Sequence, residues 1–236
     1  MDTGAVRRTR IGLLSVVLLA FASGAADAFG FLELGGIFTA NMTGNLVLAG
    51  LFTRPDYLAT LAGAGAALAA FPVGLAVGFR LSRGSHRSAV LALLPILTAA
   101  AAGVWWAVGT DAGARFAVIA LSAAALGVQT VLSRRVSGEL GLTGTYQTGT
   151  LTALVEDLVD HKRGGRLVKL GSIVALVLGA VVGTLAASAA PALAPVPMLL
   201  TTLVAVALLG LRRPPVDPGA LSTPYDDAPA SANLKA

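Results

Sequence analysis

Apolar positions in this chain come in long unbroken runs, unlike the alternation of a half-buried strand or the one-sided stripe of a surface helix. Six such runs, near residues 11–32, 57–79, 89–109, 114–132, 167–189 and 193–211, are rich in Ala, Leu, Val and Gly. A helix rises about 1.5 Å per residue, so each run approaches the length needed to cross a hydrocarbon core of about 30 Å. A lone spanning segment in lipid satisfies its backbone hydrogen bonds internally only as a helix. The pattern therefore predicts an all-α membrane protein with six transmembrane helices.

Between the first two runs the pattern changes. Gly35 to Phe52 (GGIFTANMTGNLVLAGLF) is apolar apart from Thr39, Asn41, Thr43 and Asn45. An apolar stretch of about 10–14 residues is too short to span and is predicted to dip into the membrane as a re-entrant or broken segment. If it crossed fully, the loop from Arg80 to Arg87 would move to the opposite side and spoil the charge pattern described below. A related segment lies between the fourth and fifth runs, where Thr143 to Leu151 (TGTYQTGTL) echoes Thr39 to Leu46 (TANMTGNL). Thr43, Gly44 and Leu46 meet Thr148, Gly149 and Leu151 at a constant offset of 105 positions, and the same offset carries Gly74 and Gly78 onto Gly179 and Gly183. The chain thus divides into two repeat halves, about 11–109 and 114–211, each with three runs and one Thr-Gly segment. An odd number of crossings turns the second copy upside down, so the halves are predicted to be inverted repeats within one membrane domain, 1–213.

Composition and charge sharpen this picture. The chain is 56% hydrophobic and 12% charged, with a mean hydropathy of +0.80. Its net charge of +5 and pI near 10.2 are in the range of nucleic-acid binders, but the basic residues are not gathered on one soluble face. With a cytoplasmic N-terminus, all of the 17 Lys and Arg residues except Arg54 and Arg115 fall on the cytoplasmic side. That asymmetry predicts both termini in the cytoplasm and a lipid bilayer, with no nucleic acid, as the partner. Trp105 and Trp106 at the end of the third run, and Tyr57 at the start of the second, are expected to anchor at the interface. Arg7 to Arg10 followed by an apolar run and Ala26-Asp27-Ala28 has the outline of a secretory signal, but the apolar region exceeds a signal core and five more runs follow. Residues 214–236, rich in Pro, Ala, Ser and Asp, are predicted to be a disordered cytoplasmic tail.

Candidate chemistry is sparse. Asp27 is a carboxylate inside a predicted span, about 24 Å along the helix from Ile11 and thus toward its far end. Two roles compete there: a proton- or cation-linked group, or a helix-end residue that staples the re-entrant segment. Thr39, Asn41, Thr43 and Asn45 are spaced by two, so they do not share a helix face. Beside Gly44 they predict a bent backbone whose polar groups contact a solute, or a Thr-capped half-helix. Gln129 lies near the position corresponding to Asp27 and is expected either to complete the site or to bond a neighbouring helix. Thr143, Thr148, Gly149 and Thr150 form the second copy of the site. Gly74, Gly78, Gly179 and Gly183 permit close helix contact, either between the halves or between subunits of a homo-oligomer. His86 and His161 lack ligand spacing, and Glu156, Asp157 and Asp160 beside Lys162 and Arg163 have the pattern of a solvated charge cluster. No metal or cofactor is expected, and without a phosphate-binding loop, a Gly-x-Ser-x-Gly or a zinc-protease motif no enzyme is expected either.

Ser23 to Leu51 (SGAADAFGFLELGGIFTANMTGNLVLAGL) resembles the N-terminal signature of the YoaK-like family of uncharacterised bacterial membrane proteins, and the resemblance extends to about Arg213. Gly24, Asp27, Phe38, Thr43, Gly44 and Asn45 match the family pattern, whereas the second copy, with Thr150 where the first has Asn45, is more divergent. The resemblance implies a bacterial inner-membrane protein and supplies no substrate. Repeat architecture and polar segments together predict a small secondary transporter or permease for a small polar or ionic solute. The alternative is a non-transporting scaffold or accessory subunit whose motifs only lock the fold.

Overall fold

The computed structural model describes residues 3–83, 87–109, 111–138, 147–161 and 165–211. Thr143 and the segment 214–236 lie outside the described residues. Among the described residues eight α-helices follow in order: α1 (Thr3–Glu33), α2 (Met42–Gly50), α3 (Tyr57–Ser82), α4 (Arg87–Val108), α5 (Ala112–Ser137), α6 (Gln147–Val159), α7 (Arg166–Ala189) and α8 (Val196–Gly210). A 3-10 turn, Pro191–Leu193, joins the last two. Among the described residues there is no strand. Six helices are long and apolar enough to cross a membrane, over Thr9–Glu33, Tyr57–Ser82, Ser88–Val108, Gly113–Ser137, Arg166–Ala189 and Pro191–Gly210. They coincide with the six runs of the hydropathy pattern. At 9 and 13 residues, α2 and α6 are too short to span.

The order long, short, long, long occurs twice. Two helices form the centre: 56% of the apolar window of α1 and 72% of that of α5 is buried inside the protein, against 28 to 33% for the other four spans. Those four expose large aliphatics to the surroundings, among them Val73, Ile96, Leu185 and Leu200. Lipid tails are as apolar as Leu, so burying such side chains between helices gains little, and close van der Waals packing must hold the bundle together.

Glycine supplies that closeness at two crossings. Where α1 meets α7, a Cβ on Gly24 would lie 1.9 Å from the Leu176 carbonyl oxygen, and one on Gly179 would lie 2.0 Å from that of Phe21. Where α5 meets α3, a Cβ on Gly127 would lie 2.3 Å from the Phe71 carbonyl oxygen, and one on Gly74 would lie 2.1 Å from that of Ala124. The two crossings correspond residue by residue: moving α1 by 103 positions (24 to 127, 21 to 124) and α3 by 105 (71 to 176, 74 to 179) turns one contact set into the other. Each half therefore packs its first helix on the other half's third. Gly74, Gly78, Gly179 and Gly183 are all buried in these crossings. Of the two contacts expected of these glycines, between the halves or between subunits, the structure shows the first.

The aromatic anchors also differ from expectation. Trp105 is buried, packs edge-on against Phe29 with ring centroids 5.2 Å apart, and donates its indole N–H to the Pro191 carbonyl at 2.9 Å. Trp106 is half exposed and donates to the Ala192 carbonyl at 2.7 Å. The pair ties α4 to the turn before α8, so one ring is core and only the other faces outward. Tyr57 donates its hydroxyl to the Ala49 carbonyl at 2.8 Å and fastens the end of α2 to the start of α3.

Candidate functional site

The first Thr-Gly segment begins where α1 stops. Gly35 and Gly36 have φ of +85° and +78°, and the Gly36 amide donates to the Phe31 carbonyl at 3.1 Å, closing the helix with a left-handed cap that only glycine enters without strain. The chain then runs back along α1, and a Cβ on Gly30 would meet the Ile37 carbonyl oxygen at 2.5 Å. This return brings the backbone to Asp27, as the proximity of the two in sequence predicts.

Asp27 is half-buried, and its Oδ1 accepts the Thr39 amide at 2.8 Å and the Ala40 amide at 2.7 Å, with the Thr39 hydroxyl at 3.5 Å. Successive amides pointing at one oxygen form an anion-holding concavity, here filled by the protein's own carboxylate. A carboxylate in a spanning helix costs about 2.5–3.5 kcal/mol by insertion scales, and hydrogen bonds to a charged group return about 1.5–3 kcal/mol each. The two amide bonds are thus of the size needed to keep Asp27 in place. Asn45 is fully buried and grips Phe38 from both sides: its Oδ1 accepts the Phe38 amide at 3.0 Å, and its Nδ2 donates to the Phe38 carbonyl at 2.7 Å. Asn41 caps α2, accepting the Gly44 amide at 3.1 Å.

The predicted residues therefore divide by role. Asp27, Asn45 and Asn41 hold the backbone of 38–44, and Thr39 is buried beneath them. Gly44 lies against the Phe38 ring, where a Cβ would come within 2.7 Å. Thr43 alone among the polar group is exposed on α2 without a hydrogen bond. The half-helix is capped by Asn41, not by a threonine.

The second copy is held differently. Thr148 and Gly149 are exposed, and Thr150, which stands where Asn45 does in the first copy, is buried. Gln147 donates to the Ser172 hydroxyl at 3.1 Å. The main clasp is an ion pair that sequence reasoning missed: Lys169 of α7 donates to Asp157 Oδ2 at 2.5 Å, with side-chain exposures of only 8% and 11%. Arg166 adds a hydrogen bond to the Asp157 carbonyl. Glu156 and Asp160 are exposed as expected, but Asp157 is not part of a solvated cluster. Its burial has a helical reason: Thr150, Leu154 and Asp157 share one face of α6, while Lys169, Ser172, Gly179 and Gly183 share one face of α7. That periodicity was present in the sequence and placed Lys169 on the glycine face.

Gln129 does not join either Thr-Gly segment by a hydrogen bond. Fully buried on α5, it donates to the Leu19 carbonyl at 2.9 Å and the Ser23 hydroxyl at 2.7 Å, two turns and one turn before Asp27 on α1. In the residue correspondence of the crossings, Thr130 and not Gln129 stands for Asp27. Ser122 and Ser133 lie two turns before and one turn after Gln129 on α5, are fully buried, and carry hydroxyl oxygens without a partner. Among the described residues no three His, Asp or Glu side chains gather as metal ligands.

Six apolar spans around a polar α1–α5 centre define a multi-pass helical membrane protein. Residues 15–209 match the family described as "Protein of unknown function (DUF1275)", and the chain belongs to that family. It is similar to the "UPF0700 transmembrane protein YoaK" of Bacillus subtilis (strain 168), at 31% identity over 163 residues that cover 67% of this chain and 70% of that protein. The resemblance carried by Ser23 to Leu51 is thereby borne out. No solved structure gives a significant match.

Proposed function

We propose that the chain is a small secondary permease for a small polar or ionic solute in a bacterial inner membrane, with both termini cytoplasmic and its halves related as an inverted repeat. The observation that carries this reading is the buried polar face of α5, where Gln129 bonds Ser23 of α1 and, two turns before and one turn after it, Ser122 and Ser133 are fully buried with no hydrogen-bond partner. Hydroxyls buried without partners are costly in a structure that serves only to pack, and they supply hydrogen-bonding sites to a solute passing between the halves. The matching glycine crossings support it as well, since equivalent halves that share a seam are the architecture on which rocking transport is built. In this reading Asp27 couples the movement to protons or cations through its grip on Thr39 and Ala40, and Thr43 with Thr148 offers exposed hydroxyls at the two entrances.

A second reading, a membrane scaffold that transports nothing, is favoured by one observation: Asp27, Asn41 and Asn45 spend their hydrogen bonds on the backbone of their own segment. One experiment separates the two. The full chain in proteoliposomes containing a pH-sensitive dye is challenged with a panel of small ions and polar solutes. The permease reading predicts at least one solute-driven flux, lost in Gln129→Leu, with pH coupling lost in Asp27→Asn while that variant stays folded. No flux for any solute, with a folded wild type, establishes the scaffold.

A further inference from the structure

Arg54 and Arg115 are the two basic residues that the charge pattern leaves apart from all the others, and the fold brings them to one place. A cavity of about 350 Å³ lies where α1 ends and α3 and α5 begin, and both guanidinium groups line it. Arg54 Nη2 sits 2.6 Å from where a Cβ on Gly36 would stand, and Arg115 Nη1 sits 3.5 Å from the corresponding point on Gly35. The two-glycine turn thus gives both side chains room to converge. Among the described residues neither guanidinium is in an ion pair, and Arg115 Nε is buried with no hydrogen-bond partner. Asp56 also lines the cavity but stands outside ion-pair distance, so the pocket keeps a net positive charge. Thr60 adds a hydroxyl, and Phe116 and Ile119 supply an apolar wall.

Two like charges held beside one turn repel each other, and a buried guanidinium donor without an acceptor is an unmet demand. Planar guanidinium forks match the two oxygens of a carboxylate or phosphate. We propose that this cavity binds a small oxyanion, a carboxylate or phosphate group clamped between Arg54 and Arg115, with a small apolar portion against Phe116 and Ile119. The volume is at the lower end for small-molecule sites, about 300–1,000 Å³, which limits the ligand to a compact anion. The site is a binding equilibrium of the static fold and does not rest on transport, so it stands or falls separately from the permease reading.

The test uses the full chain in phosphatidylcholine nanodiscs, with benzoate and inorganic phosphate as probes and chloride at equal ionic strength as the reference. Thermal unfolding should show a saturable rise in Tm with at least one probe, because a ligand that prefers the folded state stabilises it by mass action. Arg115→Gln and Arg54→Gln should each weaken the apparent Kd at least tenfold, and Asp56→Asn should tighten it by removing the competing carboxylate. Arg134→Gln, exposed at the opposite end of α5, should leave it unchanged. Discs of phosphatidylglycerol identify the source of the anion: a weakened apparent affinity marks the lipid headgroup as occupant of the same clamp, and an unchanged one marks a soluble anion. Absence of saturable stabilisation by either probe, or equal stabilisation in the arginine variants, overturns the proposal. Should the arginine variants fail to fold, Asp56→Asn decides alone, and an unchanged Kd there overturns it.

Discussion

Helices α2 and α6 occupy the same place in the element order of the two halves, and each is clasped by different chemistry. Around α2, a carboxylate and an amide grip backbone: Asp27 takes the amides of Thr39 and Ala40, and Asn45 takes both polar groups of Phe38. Around α6, two side chains grip each other through the buried Asp157–Lys169 pair. The spans beneath them do not differ in this way, since the α1–α7 and α3–α5 crossings use corresponding glycines on corresponding backbone. The bundle thus repeats its packing and varies its polar anchors. Packing of this kind depends on shape alone, so both copies need the same small residues, whereas a short helix can be fixed by any satisfied polar group.

The shared part of this comparison should respond most to mutation. Gly179→Leu and Gly74→Leu each drive a side chain into a carbonyl oxygen, at 2.0 Å and 2.1 Å from the added Cβ, and backbone cannot move aside cheaply. Each should cost about 3 kcal/mol or more, at the upper end of overpacking effects, and the two losses in detergent Tm should be similar. A large loss in one and a mild one in the other would break the equivalence of the crossings. Next comes the α6 clasp. Lys169→Met leaves a buried carboxylate unpaired and should cost about 3–5 kcal/mol, while Asp157→Leu combined with Lys169→Met should return to within about 1 kcal/mol of wild type. Additive losses in that double variant would show that the pair is not acting as a unit.

Smaller effects belong to α2. Asp27→Asn keeps an oxygen for the Thr39 and Ala40 amides and loses only the charge, so unfolding should shift by about 1–2 kcal/mol with insertion intact. A loss as large as that of Lys169→Met would mean the two clasps are not different in kind. Thr43→Val, exposed and unbonded, should leave stability within about 0.5 kcal/mol. Its remaining effect would be on a solute, weakening binding by about 1 kcal/mol if the hydroxyl makes an ordinary hydrogen bond.

Much of the fold was legible because lipid imposes a simple code. Six apolar runs gave six helices with ends displaced by only a few residues, since the bilayer fixes both length and hydrogen-bonding pattern. The 105-position offset of Gly74 and Gly78 from Gly179 and Gly183 was also visible, but which helix each glycine faces was not. A small-residue motif specifies close approach and says nothing of the partner. Asp27 and the segment 39–45 were singled out correctly as neighbours, yet their hydrogen bonds proved to be spent on backbone, which side-chain spacing does not encode. Asp157 was read as one of a solvated cluster with Glu156, Asp160, Lys162 and Arg163, and Lys169, twelve residues further along the chain, was passed over as its partner. Arg54 and Arg115 were noticed only as exceptions to the charge rule, since the turn that unites them is formed by two glycines with no chemistry of their own.

The proposed permease requires the second half to be the first turned upside down. The chain has no cysteine, so single cysteines report sidedness without background. Phe52, just beyond α2, and Val159, at the end of α6, are both highly exposed. In intact cells a membrane-impermeant maleimide should label Phe52→Cys, and it should label Val159→Cys only after the membrane is opened. Labelling of both from the same side would contradict the inverted repeat and, with it, the proposal that two equivalent halves meet at the α1–α5 seam.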